Sequence, residues 1–252
     1  MRSRTQQLAA TLLEAGLAGH VRVGALRPVD LSPPVDPGRS LSQPPDSTRR
    51  TEEGANPPGA QALDPLLGLH ARASRGRLIE IAGGVSSGRT ALVYRMAGAV
   101  TARGELAGWV DLPDALDPRF LRRAGVHLER TLWVRPPTLT AALRAAEILT
   151  HTGFALVVLD LEGASQRELG RLGPAVWTRL AQRLRNARAT LALLASRRIA
   201  GSFATLGIET ERTLTRFERG LFEGLESHAC VVRNRTGATG TEHPFAVYQR
   251  PS

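Results

Sequence analysis

The feature that most constrains the fold is a short apolar strand that runs directly into a glycine-rich turn and then into a helix. Residues Arg77 to Ala82 form the apolar run, and the turn that follows reads Gly-Gly-Val-Ser-Ser-Gly-Arg-Thr over residues 83–90. From Ala91 to Ala102, apolar residues recur at helical spacing. A strand, a turn and a helix in this order are typical of an α/β sheet with parallel strands.

The turn matches most of the pattern of a phosphate-binding loop, G-x-x-x-x-G-K-[ST]. Gly83, Gly88 and Thr90 occupy fixed positions of this pattern, whereas Arg89 stands where lysine is expected. Such a loop holds phosphate through backbone N–H groups and a helix N-terminus, but a planar guanidinium does not simply replace a compact ammonium. Two interpretations stay open: a degenerate site for ATP or ADP with Mg²⁺, and a loop retained as a structural turn. The candidate residues are Gly83, Gly84, Ser86, Ser87, Gly88, Arg89, Thr90 and Asp160.

Asp160 joins this set because it ends the strongest strand pattern in the chain. Residues Ala155 to Asp160 form a continuous apolar run that ends in a carboxylate, as in a strand buried on both faces of a parallel sheet. An acid in this place is typical of a Walker B carboxylate, which holds magnesium directly or through water. The alternative is an acid that is simply solvated at the edge of the sheet.

Strand and helix patterns alternate through the rest of the chain. They predict an α/β fold with a mainly parallel twisted sheet, flanked by helices and closed by a C-terminal antiparallel hairpin. Residues 196–222 are arginine-rich and read as irregular. Further strands are predicted at Leu106–Asp111, Thr131–Val134 and Thr190–Ala195, helices near Pro118–Ala124, Leu139–Thr150 and Pro174–Asn186, and the hairpin at Ser227–Arg235 and Pro244–Arg250.

Two segments of different character precede this domain. Gln6 to Ala18 places leucines near helical spacing, and Val21 to Leu26 reads as a short strand, so residues 1–26 are expected to form an interaction arm. Eight of the 16 prolines lie between Pro28 and Pro58, and such a segment cannot offset its ordering entropy by burial. We therefore expect a disordered linker at residues 27–61 and the α/β domain at residues 62–252.

Composition limits the classes of function that are open to the chain. The net charge is +10 and all 33 basic residues are arginine, which favours acidic partners or phosphate backbones, although biased codon composition is the alternative. Aromatic residues make up 4%, so the stacking platforms of single-strand-binding proteins are not expected. A single cysteine and the lack of a long apolar run favour a cytoplasmic protein without a membrane partner.

Several motifs resemble, in order and spacing, the core of the bacterial RecA recombinase. The match runs from about Leu63 to Arg235, and Ala-Leu-Asp-Pro at residues 115–118 is specific to RecA relatives among phosphate-loop proteins. The resemblance implies a RecA-like core without the RecA C-terminal domain, and an N-terminal arm like the one that packs on the adjacent subunit of a filament. The other motifs are Gly76–Ile81, Ser86–Thr90, Val110–Asp111, Ala124–Val126 and Leu156–Asp160.

Departures from the RecA pattern point away from ATP hydrolysis. RecA-type enzymes carry a catalytic glutamate two residues after the aspartate of the second strand, and the second residue after Asp111 here is Pro113, which accepts no proton. Asp114 is displaced by one residue out of a proline-stiffened turn. Ser-Arg at residues 196–197 replaces an Asn-Gln pair that senses the γ-phosphate, and residues 198–219 lack the glycine run of the RecA DNA-binding loop. We therefore expect no enzymatic activity.

A shortened RecA-like core with these departures resembles the ImuA family of RecA/SulA-like proteins. The resemblance implies a non-catalytic accessory factor in SOS-induced translesion synthesis that binds RecA and an ImuB-type Y-family-like protein, with DNA as a weaker partner. One alternative is a weak DNA-dependent ATPase that remodels recombinase filaments, with Arg89 as its cation and Asp111, Asp114 and Asp160 as its acids. The other is a SulA-like inhibitor of cell division.

Overall fold

The structure is a computed structural model that describes Thr11, residues 21–23 and 64–67, and residues 76–248 except Arg188. Its strands are β1 (Val21–Val23), β2 (Leu78–Gly83), β3 (Ala107–Asp111), β4 (Thr131–Val134), β5 (Leu156–Asp160), β6 (Thr190–Ala195), β7 (Leu206–Glu218), β8 (Leu221–Asn234) and β9 (Glu242–Tyr248). Its helices are α1 (Asp64–Leu67), α2 (Arg89–Ala102), α3 (Pro118–Arg123), α4 (Leu139–His151), α5 (Gln166–Gly170) and α6 (Pro174–Asn186).

The described strands form one sheet in the order β1-β4-β3-β5-β6-β2-β7-β8-β9. The strands from β4 to β7 in this order pair in parallel, whereas β8 and β9 are antiparallel additions at one edge. β1 pairs antiparallel with β4 at the opposite edge. Helices connect the parallel strands because parallel neighbours require a crossover.

Two apolar cores lie on the two faces of this sheet. In β2, Leu78 belongs to one core and Ile79 to the other, as the two-residue period of a strand requires. The first core packs α4 and α6 against the sheet, and Trp177 is its largest helical side chain. The second core packs α2, including Met96, on the other face. Because helices cover both faces, the central strands are buried throughout, and the loops after their carboxyl ends meet at one edge.

Local capping fixes where the helices at this edge begin. The Asp117 side chain accepts the Arg119 N–H at 2.8 Å and Pro118 is the first residue of α3, so Ala-Leu-Asp-Pro forms the start of a helix. Ser165 and Glu168 form a capping box at the start of α5, a helix that the periodicity did not predict because it is only five residues long.

The predicted α/β architecture and its C-terminal antiparallel strands are confirmed, and one prediction is wrong. Residues 196–222 are not irregular throughout, because β7 runs from Leu206 to Glu218 and pairs with β8 over its length. The second half of β7 lacks a buried face, so its arginines hid the strand from a search for apolar runs.

The N-terminal predictions lie mostly outside the described residues. β1 confirms a strand at residues 21–23, while the helix at Gln6–Ala18, apart from Thr11, and the linker at 27–61 lie outside. The limits of the arm, the linker and the core stay predictions. None of the helices among the described residues is both long and apolar enough to cross a bilayer.

Candidate phosphate-binding site

The loop at residues 83–89 leaves the carboxyl end of β2 and turns into α2. Asp111 and Asp160 end the neighbouring strands β3 and β5 and lie directly opposite each other in the register. The structure therefore places the sequence-predicted loop and Asp160 at one edge of the sheet. It adds Glu162, just after β5, which the sequence analysis did not single out.

The loop is braced from the side by β7, β8 and β9. The buried Ser87 hydroxyl lies 2.8 Å from the Thr210 hydroxyl, so the Ser87 side chain is hydrogen-bonded to β7. Gly88 has φ +84°, and a Cβ atom there would lie 2.7 Å from the Phe245 ring. Glycine is required at this position for both its backbone angle and its size. Gly84 and Ser86 are exposed at the outer rim of the loop.

Arg89 folds back into the loop and is buried with 8% of its surface exposed. Its Nη1 donates to the carbonyl oxygens of Gly83 and Gly84. Its Nη2 lies 2.6 Å from Glu162 Oε2. The cation that would face a phosphate in an ordinary loop thus neutralises a carboxylate of the same chain and donates to loop carbonyls.

Asp160 has an unusual proton affinity for a carboxyl group. Desolvation by burial raises the pKa of Asp160 to about 6, and the hydrogen bond from the Glu162 N–H opposes this shift. Asp111 raises this pKa further, while Arg89 lowers it. Thr90 is half-buried in the first turn of α2. At neutral pH Asp160 is mainly a carboxylate beside an already paired arginine.

Asp111 is a structural acid with a full set of donors. It is 1% exposed and accepts the Ala115 N–H at 3.2 Å, the Leu116 N–H at 2.9 Å and the Trp133 Nε1–H at 3.0 Å. These bonds fix the turn that leads to α3. Burial, followed by the charges of the nearby aspartates, raises the pKa of Tyr94 to about 12.

The position that resembles a catalytic base is closed by backbone packing. A Cβ atom on Gly163 would lie 3.0 Å from Pro113 Cα, so the loops after β3 and β5 touch there. Asp114 has φ +54° and both of its carboxylate oxygens are bound by Arg135. Ser196 and Arg197 are exposed after β6. Pro113 has no carboxylate, and the carboxylate of Asp114 is already paired with Arg135.

The residues present fit a magnesium nucleotide only in part. The glycine loop and the start of α2 have the backbone form that receives phosphates, and Thr90 with Asp160 is a suitable pair of oxygen donors for Mg²⁺. Arg89, however, donates to the loop carbonyl of Gly83 and forms an ion pair with Glu162. Within the described residues, no group of three or more His, Cys, Asp or Glu side chains is arranged to hold a metal ion.

Known proteins match the same part of the chain. A model of the RecA N-terminal domain matches residues 45–169, which include the loop, Asp111 and Asp160. The crystal structure of the RadB recombinase superposes with a TM-score of 0.56 on 73% of this chain and 92% of that chain, at 20% identity. The core is RecA-like.

The RecA-like core also resembles curated RecA proteins in sequence. RecA of Bacillus velezensis is 38% identical over 105 residues, or 41% of this chain and 30% of that protein. RecA of Clavibacter michiganensis is 36% identical over 115 residues, or 45% and 32%, and RecA of Thermus thermophilus is 38% identical over 103 residues, or 41% and 30%. The chain spans about a third of the length of these relatives.

Proposed function

We propose that this chain is a non-catalytic RecA-like accessory factor of SOS-induced translesion synthesis. It acts in the cytoplasm by binding RecA and an ImuB-type Y-family-like protein. The similarity to RecA over residues 45–169 supports a role related to DNA repair and recombination. A protein with the shape of a RecA protomer has a surface suited to contacts that RecA protomers make with each other.

The observation that carries the non-catalytic part of the proposal is the state of Arg89. Nucleotide binding would have to break its contacts with the Gly83 carbonyl and Glu162, and the energy needed to do so is subtracted from the affinity. Hydrolysis further requires a base near the attacking water. Pro113 and the Arg135-bound Asp114 offer none. The protein would then act by occupancy of a binding site on RecA.

Two measurements on the purified chain test this function. Association with RecA is measured by biolayer interferometry, with and without ATP and single-stranded DNA, and binding in at least one condition is expected. Phosphate release from ATP is measured with and without single-stranded DNA, and no release above background is expected. A chain that binds RecA in none of these conditions contradicts the proposed role.

The phosphate assay also separates the proposal from a weak DNA-dependent ATPase, the alternative that Thr90 and Asp160 near the loop would favour. Steady phosphate release that disappears in Thr90→Ala would support the ATPase and overturn the non-catalytic role. Release that persists in Thr90→Ala indicates a contaminant, since that hydroxyl is the expected magnesium ligand of a phosphate loop.

A further inference from the structure

Strands β7, β8 and β9 form an antiparallel ribbon whose side chains point to two sides. Thr210, Ser227 and Phe245 lie on the side that is buried against the phosphate loop. We call the other side of the ribbon the open side. Across the three strands, its rows are Glu209, Cys230 and Glu242; Glu211, His228 and Pro244; Leu214, Glu226 and Ala246; and Arg216, Gly224 and Tyr248.

Within the described residues, the open side lacks the layer of helices that covers the same side of the parallel strands. Glu209 lies opposite Ala82 in the register, and Leu78, on the same side of β2, packs in the core under α4 and α6. That core includes no described residue of the ribbon. Leu214 and Tyr248, each 46% exposed, therefore lie in a recess that is one helix deep, or about 10 Å.

Charge is divided between the two halves of this face of the molecule. The rows of the open side carry four glutamates and one arginine, and that arginine, Arg216, is already paired with Glu226. The helices α4, α5 and α6 on the other half contain five exposed arginines and two glutamates. An acidic recess thus lies beside a basic helical layer on one face of the chain.

Helix α6 directs a cation toward the recess. Arg179 and Arg183 both contact Glu147 of α4, at 2.6 and 3.8 Å, so this flank of α6 faces α4. Arg185 lies two residues further along, about 200° around the helix axis, and is exposed on the opposite flank. On that flank α6 packs with the connection from β6 to β7, and the ribbon follows.

A second copy of this chain has both the shape and the charge that the recess requires. In a contact about a two-fold axis, the same two surfaces meet twice, so each copy can place α6 over the ribbon of the other. A strip of three strands, roughly 14 Å wide and roughly 25 Å long, matches one helix, and two such contacts bury on the order of 1,400 Å² in total, as specific interfaces do. A separate basic partner would account for the acidic ribbon alone, whereas a second copy also accounts for the basic helices beside it.

We propose that the chain forms a two-fold symmetric dimer in which α6 of each copy covers the open side of the other copy's ribbon. Arg185 faces the other copy's Glu209 and Glu211, and Leu214 and Tyr248 pack beneath the helix. The phosphate loop lies on the opposite side of the ribbon and is not part of this contact. The dimer therefore does not depend on the proposed function.

Sedimentation equilibrium of the full chain tests the dimer. At about 50 mM salt the particle should have twice the mass of one chain, and about 500 mM salt should weaken the dimer at least about tenfold, because exposed charge pairs are screened. A chain that stays monomeric up to about 100 µM would overturn the proposal, even if its ribbon bound an arginine-rich peptide. Assemblies larger than a dimer would overturn it as well, since a contact without two-fold closure continues into rings or filaments.

Two charge-reversed variants identify the surfaces that meet. The ribbon variant is Glu209→Lys with Glu211→Lys, and the helix variant is Gln182→Glu with Arg185→Glu, all at exposed residues. Each variant alone should dimerise at least about tenfold more weakly than the wild type, because both contacts of its dimer bring like charges together. An equimolar mixture should dimerise again, since each contact of the mixed dimer joins opposite charges. A mixture that stays monomeric would overturn the two-fold arrangement.

Matched controls change charge or apolar area away from the open side. Arg122→Glu on α3 and Glu129→Lys are at exposed residues beside the other core, and both should dimerise as the wild type does. Phe217→Ser should do so too, because the register places Phe217 on the loop side of the ribbon. Equal losses in the controls and in the reversed variants would overturn the assignment of the open side. Circular dichroism of each variant checks that the fold is retained.

Discussion

At the level of single residues, Arg89 explains how a phosphate loop can keep its shape while its charge is neutralised. A lysine ammonium is a point charge, whereas a guanidinium presents several N–H groups in one plane. That fork lets Arg89 donate to the Gly83 and Gly84 carbonyls while it contacts Glu162. The effect of arginine in place of lysine in this loop therefore depends on a second residue, Glu162.

Glu162→Gln tests this dependence. Removing the carboxylate charge should release Arg89 toward a phosphate and strengthen ADP binding by about tenfold, the equivalent of about 1.4 kcal/mol. Isothermal titration calorimetry with ADP and magnesium measures the change. The control is Glu129→Gln, at an exposed residue whose side chain contacts His127, and it should bind ADP as the wild type does. An unchanged affinity in Glu162→Gln would show that Glu162 does not hold Arg89.

Asp160 makes stability depend on pH in a defined window. Burial raises its pKa from 3.8 to about 6, so between these values the folded chain holds a proton that the unfolded chain has lost. Stability from this group is therefore full below about pH 3.8 and is lost as the pH rises through about 6. The total change is about 3 kcal/mol.

Asp160→Asn should remove that pH dependence. The free energy of unfolding, measured by urea titration, should exceed the wild-type value by up to about 3 kcal/mol near pH 8 and match it near pH 4. A variant that is less stable than the wild type at both pH values would show that the carboxylate itself stabilises the fold.

Sequence patterns identified only part of this site, for a physical reason. A pattern of fixed spacing is sufficient to find Arg89 at the place of the loop lysine, the acid Asp160 and Pro113. The contact of Arg89 with Glu162 and the bond from Trp133 to Asp111 depend on which loops the sheet brings together. An acid two residues after the end of β5 was the available signal for Glu162.

At the level of elements, ten residues connect β6 to β7 where a crossover helix would be usual. A buried acid in β2 holds this connection. Glu80 is fully buried in β2, and its Oε1 accepts the N–H groups of Ile199 and Ala200, the latter at 2.7 Å. Two backbone donors, one of them on the buried Ala200, are thereby satisfied. Glu80 couples the strand before the phosphate loop to the connection that crosses over it.

Glu80→Ala should lower the free energy of unfolding by about 3 kcal/mol, because two backbone N–H groups, that of the buried Ala200 among them, would lose their acceptor. Urea unfolding followed by circular dichroism measures the loss. Glu80→Gln keeps an oxygen at the position of Oε1 and should cost less. Equal losses in the two variants would indicate that the negative charge near Arg198, rather than the two hydrogen bonds, is the stabilising feature.

The elements also show where periodicity is informative. The buried strands β4 and β6 have the bounds that their apolar runs predicted, because burial on both faces leaves a strong signal. β7 was missed because its second half is stabilised by pairing with β8, a long-range interaction that leaves no apolar run. The amphipathic helix α6 was correctly predicted to extend from Pro174 to Asn186.

For the whole molecule, charge and its distribution lead to different expectations. The formal charge is +10, yet ion pairs occupy Arg89, Arg95 and Arg135. We therefore expect few phosphate contacts on single-stranded DNA. The affinity for oligo-dT should be micromolar or weaker near physiological salt.

A salt titration checks this expectation. With few phosphates neutralised, fluorescence anisotropy should show the oligo-dT affinity falling by about tenfold between roughly 50 and 200 mM salt. A nanomolar affinity that hardly changes with salt would require base stacking or specific contacts, and would contradict the idea that scattered arginines carry the binding.

The bracing of the phosphate loop has a mechanical consequence for the molecule. Thr210 and Phe245 touch the loop from one side of a ribbon that is a single sheet thick, and Leu214 and Tyr248 belong to the other side of the same strands. A change in the tilt of these strands therefore moves the side chains on both faces of the ribbon together. A load on the hairpin near Thr210 is therefore passed to Gly88 through paired strands, whereas the bulges at Arg212–Leu214 and Arg216–Phe217 interrupt the ladder farther out.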